Sequence, residues 1–329
     1  MTNSSKVAIF SDLHLGVHQN SIFWHQIALT WCDWFVTELD KRGIDTVLFL
    51  GDFFDSRDEI ANNTLGVGEQ IMTKLKRFKL IMIPGNHDSF YKEHAEINSI
   101  KIFGGWDNVT VLNEISSLDF GNTSATFVPW GGDLNEVHWS PYLFGHFAIN
   151  SFTMNGSKVC TNGVDTSTIL KLSPNTFSGH FHQRDDRQYG AGVIHYVGNP
   201  FEMNFGDTKE VKGFHTLDFN TGALEFIPNP VSPRHVRILV TELLDRDTIP
   251  ENIAERIKDN IVRLYVDKFV SSDVIDMLQA KIKLLEPAQS SIEFLTTANI
   301  ISVDDAVKSS DLSALGTEQA INEFVELLE

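Results

Sequence analysis

Three short apolar runs constrain this 329-residue chain more than any other feature. Residues 7–10 (VAIF), 46–50 (TVLFL) and 80–83 (LIMI) are each strand-sized, and each gives way at once to polar chemistry: SDLHLG at 11–16, GDFFD at 51–55, PGNHD at 84–88. Helical patterns separate them. Residues 21–41 repeat Trp24, Ile27, Ala28, Trp31, Trp34 and Phe35 at three- and four-residue spacing, and residues 63–78 read the same way. Strands alternating with helices predict parallel pairing and an α/β domain. Runs that are apolar throughout predict strands covered on both faces. Ligands of such sheets collect beyond the carboxyl ends of the strands, where these polar residues fall.

Asp12 and His14 come from the first strand end, Asp52 and Asp55 from the second, and Asn86, His87 and Asp88 from the third. Later, LFGHF contributes His146 and FSGHFH contributes His180 and His182. If strand geometry persists, residues two apart point to one side, which pairs Asp12 with His14 and His180 with His182. A carboxylate beside an imidazole suits a hard or borderline metal ion, and equally a buried structural pair. A lone Gly-Asp carries no information, and a GHxH stretch can be a core histidine pair. The ordered recurrence of such groups at strand ends is what leaves the purely structural reading with little weight. Gly51 and Gly85 allow tight turns and close backbone approach.

The net charge of −18 repels phosphate backbones and excludes an autonomous DNA-binding module, so a nucleic-acid substrate would need metal ions or a basic partner. Two cysteines, Cys32 and Cys160, give no disulfide framework and favour a reducing, cytoplasmic setting. No apolar run approaches a membrane span, and the first ten residues lack the features of a secretion signal.

From about 108 to 228 the pattern turns strand-rich. Pro228, Pro230 and Pro233 mark a boundary, because three prolines in six residues stop regular structure. Beyond them a strand (234–241), a helix (250–260), a strand (261–266) and a helix (272–285) predict a small α/β module closed by Pro287. The domain expectation is 1–230, 231–290 and a tail, 291–329. In the tail Ile321, Phe324, Val325 and Leu328 share one helical face. That face suits folding back on its own domain or docking on a partner.

The series DxH, GDxxD, GNHD, GH, GHxH resembles the signature of the calcineurin-like metallophosphoesterases. SDLHLG, GDFFD, PGNHDS and YVGNPFEMNFGD (196–207) resemble the SbcD nucleases within it, the nuclease halves of ATPase–nuclease complexes that process DNA ends. In its compact length and diverged middle the chain resembles the small recombination-exonuclease subunits of T4-like bacteriophages. The resemblance implies an α/β, or α+β sandwich, phosphoesterase domain with a small α/β capping domain and a helical C-terminal tail. It implies two metal ions bridged by Asp52, one also taking Asp12, His14 and His182, the other Asn86, His146 and His180. His87 would face the scissile phosphate as the catalytic residue. Asp55 stands where some relatives carry histidine, and no role is carried over to it. The mixed imidazole, carboxylate and amide set suits manganese better than magnesium.

The resemblance further implies 3′-to-5′ exonuclease action on duplex DNA, endonuclease action on single strands, service in recombination, repair and replication, an SbcC-type coiled-coil ATPase partner and a homodimer. Arg184 and Arg187, close behind GHFH, and Arg234 and Arg237 in the second module are candidate DNA contacts. Lys74, Lys76, Arg77 and Lys79 are the densest basic cluster, which equally suits cations near a helix C-terminus. A phosphatase or small-molecule phosphodiesterase on the same scaffold is the main rival. Phosphatases of this kind read GDxxDRG and GNHE, where this chain has GDFFDSR and GNHD. A non-catalytic scaffold is the other rival, opposed by the occupation of all eight expected positions.

Overall fold

The computed structural model describes residues 4–155, 158–208, 210–244 and 246–295. Strands β1 (Lys6–Phe10), β2 (Thr46–Phe49), β3 (Lys79–Met82) and β4 (Val109–Val111) run parallel, side by side. A second sheet is built from β5 (Ser116–Phe120), β6 (Thr123–Val128) and β7 (Tyr142–His146), followed in the chain by a hairpin of β8 (Thr153–Asn155) and β9 (Lys158–Val159). It continues with β10 (Asn175–Gly179), β11 (Asp185–Tyr189) and β12 (Gly192–Tyr196). β13 (Gly213–Asp218) and β14 (Ala223–Pro228) then return to the first sheet. The strand orders are β14-β13-β1-β2-β3-β4 and β11-β12-β10-β7-β6-β5.

Alternation along the strands makes the sandwich. Val7, Ile9, Leu48, Ile81 and Leu217 of one sheet share a buried cluster with Ala125, Phe127, Phe144 and Phe177 of the other. Phe10, one step out of phase, turns to the outer face and packs on Trp31 and Phe35 of the Ile22–Arg42 helix, at ring separations of 5.1 and 5.2 Å. The expected sandwich is therefore present; Leu50 and Ile83, directly after β2 and β3, still belong to its core, and the polar residues follow them.

The second helix is shorter than its sequence pattern. It spans Asn62–Lys74 and stops because Phe78 N–H turns back to the Leu75 carbonyl, while the Asn108 amide takes the Leu75 and Phe78 carbonyls. Two of the basic residues of this stretch are spoken for: Lys74 pairs with Asp33 and Arg77 with Asp40.

The chain divides into two compact units, the first ending at His235 and the second beginning at Val236. The second unit's sheet has the order β15 (His235–Leu239), β16 (Ile261–Val266), β17 (Gln289–Phe294), with β16 and β17 parallel. Two expectations are corrected here. β15 does not reach Thr241; a short helix, Val240–Leu243, begins instead, with Glu242 accepting the Leu239 N–H and Asp267 the Thr241 N–H. Pro287 does not close the module, because β17 follows it; the turn is made by Glu286 at φ 54° and an Asp259 N–H bond to the Glu286 carbonyl. The expected boundary at 290 thus falls inside a strand. The proposed tail helix lies outside the described residues. Among the described residues no helix is long and apolar enough to cross a membrane.

Candidate metal centre

The loops after β1 and β2 are zipped together by backbone. Asp12 N–H donates to the Gly51 carbonyl (2.9 Å), His14 N–H to that of Asp52 (3.0 Å), Leu15 N–H to that of Phe53 (2.9 Å) and Asp55 N–H to that of Leu15 (2.9 Å). This zipper leaves strand geometry behind. Asp12 (φ 57°), His14 (φ 45°) and Asp52 (φ 61°) are left-handed, as is His180 (φ 87°) after β10. The expectation that Asp12 and His14 share a side by strand alternation is therefore corrected: they converge through unfavourable backbone, which persists only where surroundings enforce it. Close approach does the rest. A Cβ on Gly85 would stand 2.2 Å from Asp52 Oδ1, and one on Gly51 2.4 Å from His146 Nδ1.

Asp88 is the organiser that sequence reading placed among metal-type residues without a role. It is 1 % exposed and accepts N–H groups from Asp52 (2.8 Å), Phe53 (3.0 Å), Phe54 (3.2 Å) and Gly85 (3.0 Å). One carboxylate thereby fixes the second and third loops against each other. Burial, with the Asp52 charge beside it, pushes its pKa up to about 6 against the pull of those amides. No local pattern announces such a role, since three of its four amide partners are 34 to 36 residues away.

Two groups of the expected ligands result, beside a third group of ligand-type side chains made of His14, Asp55 and His87. Asp12, His14 and His182 bring ligand-type atoms within 4.8 Å of one another, and so do Asp52, His146 and His180. Asn86 joins the second group, its Oδ1 lying 3.0 Å from His146 Nε2 and 2.7 Å from His180 Nδ1. Asp52 stands between the groups, with Oδ2 3.2 Å from His146 Nε2 and 3.6 Å from His14 Nε2. His87 falls in neither. It neighbours His14 and Asp55, its ring edge-on to His14 at 4.6 Å, and its Nδ1–H donates to the Asp55 carbonyl at 2.5 Å. Trp130, which sequence reading missed, walls the second group at 5.1 Å from His180 and 5.9 Å from His146.

The donor set fits divalent cations. His146 Nδ1 can only donate to the Leu50 carbonyl (2.6 Å), so in the neutral ring the Nε2 lone pair faces the oxygens of Asp52 and Asn86. His14 and His182 likewise aim Nε2 at Nε2, 3.1 Å apart. Lone pairs converging in a buried place need positive charge between them. In the cation-free chain protons serve. Burial disfavours charge on His14, but the Asp55 hydrogen bond and the Asp52 charge outweigh it and raise its pKa to about 9. At His146 burial is outweighed by Asp52, again giving about 9. Asp52, despite burial, is held far below the carboxylate range by His146 and His14. His180, pressed by burial and by the His146 charge, drops to about 3 and stays neutral.

The candidate DNA contacts lie outside these groups. Arg187 is engaged by Asp185 (2.6 Å) and the Ser151 carbonyl (2.8 Å) and covers Phe152; Arg184 lies over Phe226, 3.6 Å from Asp186. Arg237 sits on β15, and Arg234 just before it.

A sandwich carrying two imidazole–carboxylate groups joined by one shared aspartate defines a metal-dependent phosphoesterase, and the chain belongs to the calcineurin-like phosphoesterases: that family's model matches residues 5–184. Members hold two divalent metal ions. Exonuclease subunit 1 of Enterobacteria phage T4 is 29% identical over 236 residues, covering 68% of either chain. Among solved structures, a dimetal phosphatase from Danio rerio is 9% identical, covers 64% of this chain and 91% of its own, and has a TM-score of 0.40. Vps29 from Entamoeba histolytica, as a single mutant, is 14% identical, covers 68% and 99%, and has a TM-score of 0.33.

Proposed function

We propose that the protein is a manganese-dependent DNA nuclease, acting 3′ to 5′ on duplex ends and endonucleolytically on single strands. The observation that carries this reading is the position of Asp52 between the two imidazole groups. Asp12, His14 and His182 would hold one ion, Asn86, His146 and His180 the other, and Asp52 both. Two such ions supply Lewis acidity that activates water and offsets charge on the phosphoryl oxygens. The chain's own residues do the remainder. Asp52 fixes the spacing of the two halves. The Leu50 carbonyl holds His146 in the tautomer that offers Nε2. The Asp55 carbonyl orients His87 through Nδ1–H, leaving Nε2 to face the phosphate; in the imidazolium form, with both ring nitrogens protonated, Nε2 would give its proton to the departing oxygen and leave the neutral ring. Nitrogen and oxygen donors in one set favour manganese over magnesium.

DNA as substrate is supported by the exonuclease relative and by the SbcD-like motifs. That relative is a subunit, which supports a partner. In this reading the partner is an SbcC-type ATPase met by the C-terminal tail that follows β17, the phosphoesterase domain is the first unit, ending at His235, and dimerises, and the second unit serves as the capping module. Arg184, Arg187, Arg234 and Arg237 then contact the DNA backbone, the first two after release by their carboxylates.

The deciding experiment compares linear duplex DNA with p-nitrophenyl phosphate mono- and diesters, with and without manganese. Manganese-stimulated DNA cleavage lost in Asp52→Asn supports the reading. Monoester hydrolysis without DNA cleavage moves the protein to the phosphatases. Deleting 302–329 should abolish copurification with the ATPase and spare basal cleavage; unchanged copurification removes the tail from the account.

A further inference from the structure

Two buried ring nitrogens of the centre, His14 Nδ1 and His182 Nδ1, lack a well-formed hydrogen bond, and the oxygen facing the second stands farther off. His146 Nδ1 reaches the Leu50 carbonyl at 2.6 Å and His14 Nδ1 reaches Asp55 Oδ1 at 3.2 Å. His182 Nδ1 is buried without a hydrogen-bond partner, and the carboxylate facing it, Asp207 Oδ1, stands off at 3.9 Å. Asp207 is itself buried. Its other oxygen accepts the N–H groups of Met203 (2.9 Å) and Asn204 (3.2 Å), so Oδ1 is the one left for His182. Lys212, with a side chain 5 % exposed, lies behind it. Lys212 Nζ donates to the His182 carbonyl at 2.7 Å and to Glu210 at 2.9 Å, and stands 3.7 Å from Asp207. The Asn199 N–H also points at the His182 carbonyl, at 3.3 Å. Asn199, Asp207 and Lys212 therefore gather around one histidine.

We infer that Asp207, backed by Lys212, is the positioning residue of His182. By closing the 3.9 Å gap, Asp207 Oδ1 would receive the His182 Nδ1–H and thereby commit Nε2 to the ion shared with Asp12 and His14. This rests on the metal assignment above and extends it to residues that ligate nothing. A carboxylate behind a ligand imidazole fixes tautomer and ring angle and makes the ring a better donor. A lysine 3.7 Å from the carboxylate holds that aspartate back from turning into the centre as a ligand. The position also explains why Asp207 lies so far along the chain from the histidine it serves.

The test is a manganese titration of the intact protein by calorimetry, with free ion counted by electron paramagnetic resonance. The variants are Asp207→Asn, Lys212→Met and His182→Ala. An amide at 207 keeps an acceptor for Met203 and Asn204, so the fold is retained. Asp207→Asn should weaken one of the two binding steps by about 10–100-fold and leave the other unchanged. Cleavage should recover at higher manganese. Lys212→Met should weaken the same step by less. If His182→Ala weakens one step and neither other variant does, the inference is overturned while the metal assignment stands. If Asp207→Asn weakens both steps alike, its role is general folding and the inference is again overturned. If His182→Ala leaves both steps intact, the metal assignment itself has failed.

Discussion

The two units of this chain bury opposite kinds of residue. The core of the second is aliphatic: Ile238, Leu243, Ile257, Val262, Leu264, Leu278 and Ile282 make it, and among its described residues no charged side chain is buried. The first unit has larger apolar clusters, yet it also buries Asp12, Asp52 and Asp88, each at most 1 % exposed, with His14 and His146 beside them. Packing alone explains the second unit. In the first, charge is kept out of water where an apolar side chain would cost less, and the backbone is left-handed at Asp12, His14 and Asp52. Departures from good packing practice thus trace the chemistry.

That contrast can be broken most severely at Asp52. Asp52→Asn should lower manganese-dependent cleavage by more than about 10³-fold, beyond the loss of a single transition-state donor, while the far-ultraviolet dichroism of the fold is kept. Retained cleavage would reduce the buried charges to architecture. His87→Ala should cost about 10²–10³-fold in turnover with both manganese ions still bound in a titration. Loss of an ion would move His87 among the ligands.

Acidity sharpens the same contrast. With pKa values near 9, the rings of His14 and His146 carry protons at neutral pH in the cation-free chain. Loading must expel them, so manganese affinity should rise with pH, about tenfold per unit for each proton released, and level off above about 9. Calorimetry in buffers of different ionisation enthalpy counts those protons. The same raised values stabilise the cation-free first unit fully below the ordinary histidine range near 6.5, and that contribution is lost as pH climbs through about 9. The second unit, with no buried histidine after His235, should show no such dependence. The smallest effect on the centre belongs to Leu264→Ala. It should destabilise the second unit by about 2–5 kcal/mol and leave manganese binding by the first unchanged. A coupled loss would show that the two units do not fold independently.

Much of this was legible in the sequence. The parallel core could be read because its strands are apolar on both faces, and the eight polar positions because they follow strand ends in order. What escaped is non-local or conformational. Asp88 serves amides of another loop, Asp207 faces a histidine in the β10–β11 connection, and Arg187 is held in part by a carbonyl from the β7–β8 connection. Left-handed backbone at Asp12 and His14 has no signature in residue type. Pro287 was misread because a proline stops one element without forbidding the next.

The separation of His14 from His182, 168 positions along the chain, has a consequence for how the protein comes into being. Both sheets must be finished and stacked before those rings can meet. During synthesis, then, the centre cannot grow by degrees: its set of side chains stays incomplete until His182 has left the ribosome and settled.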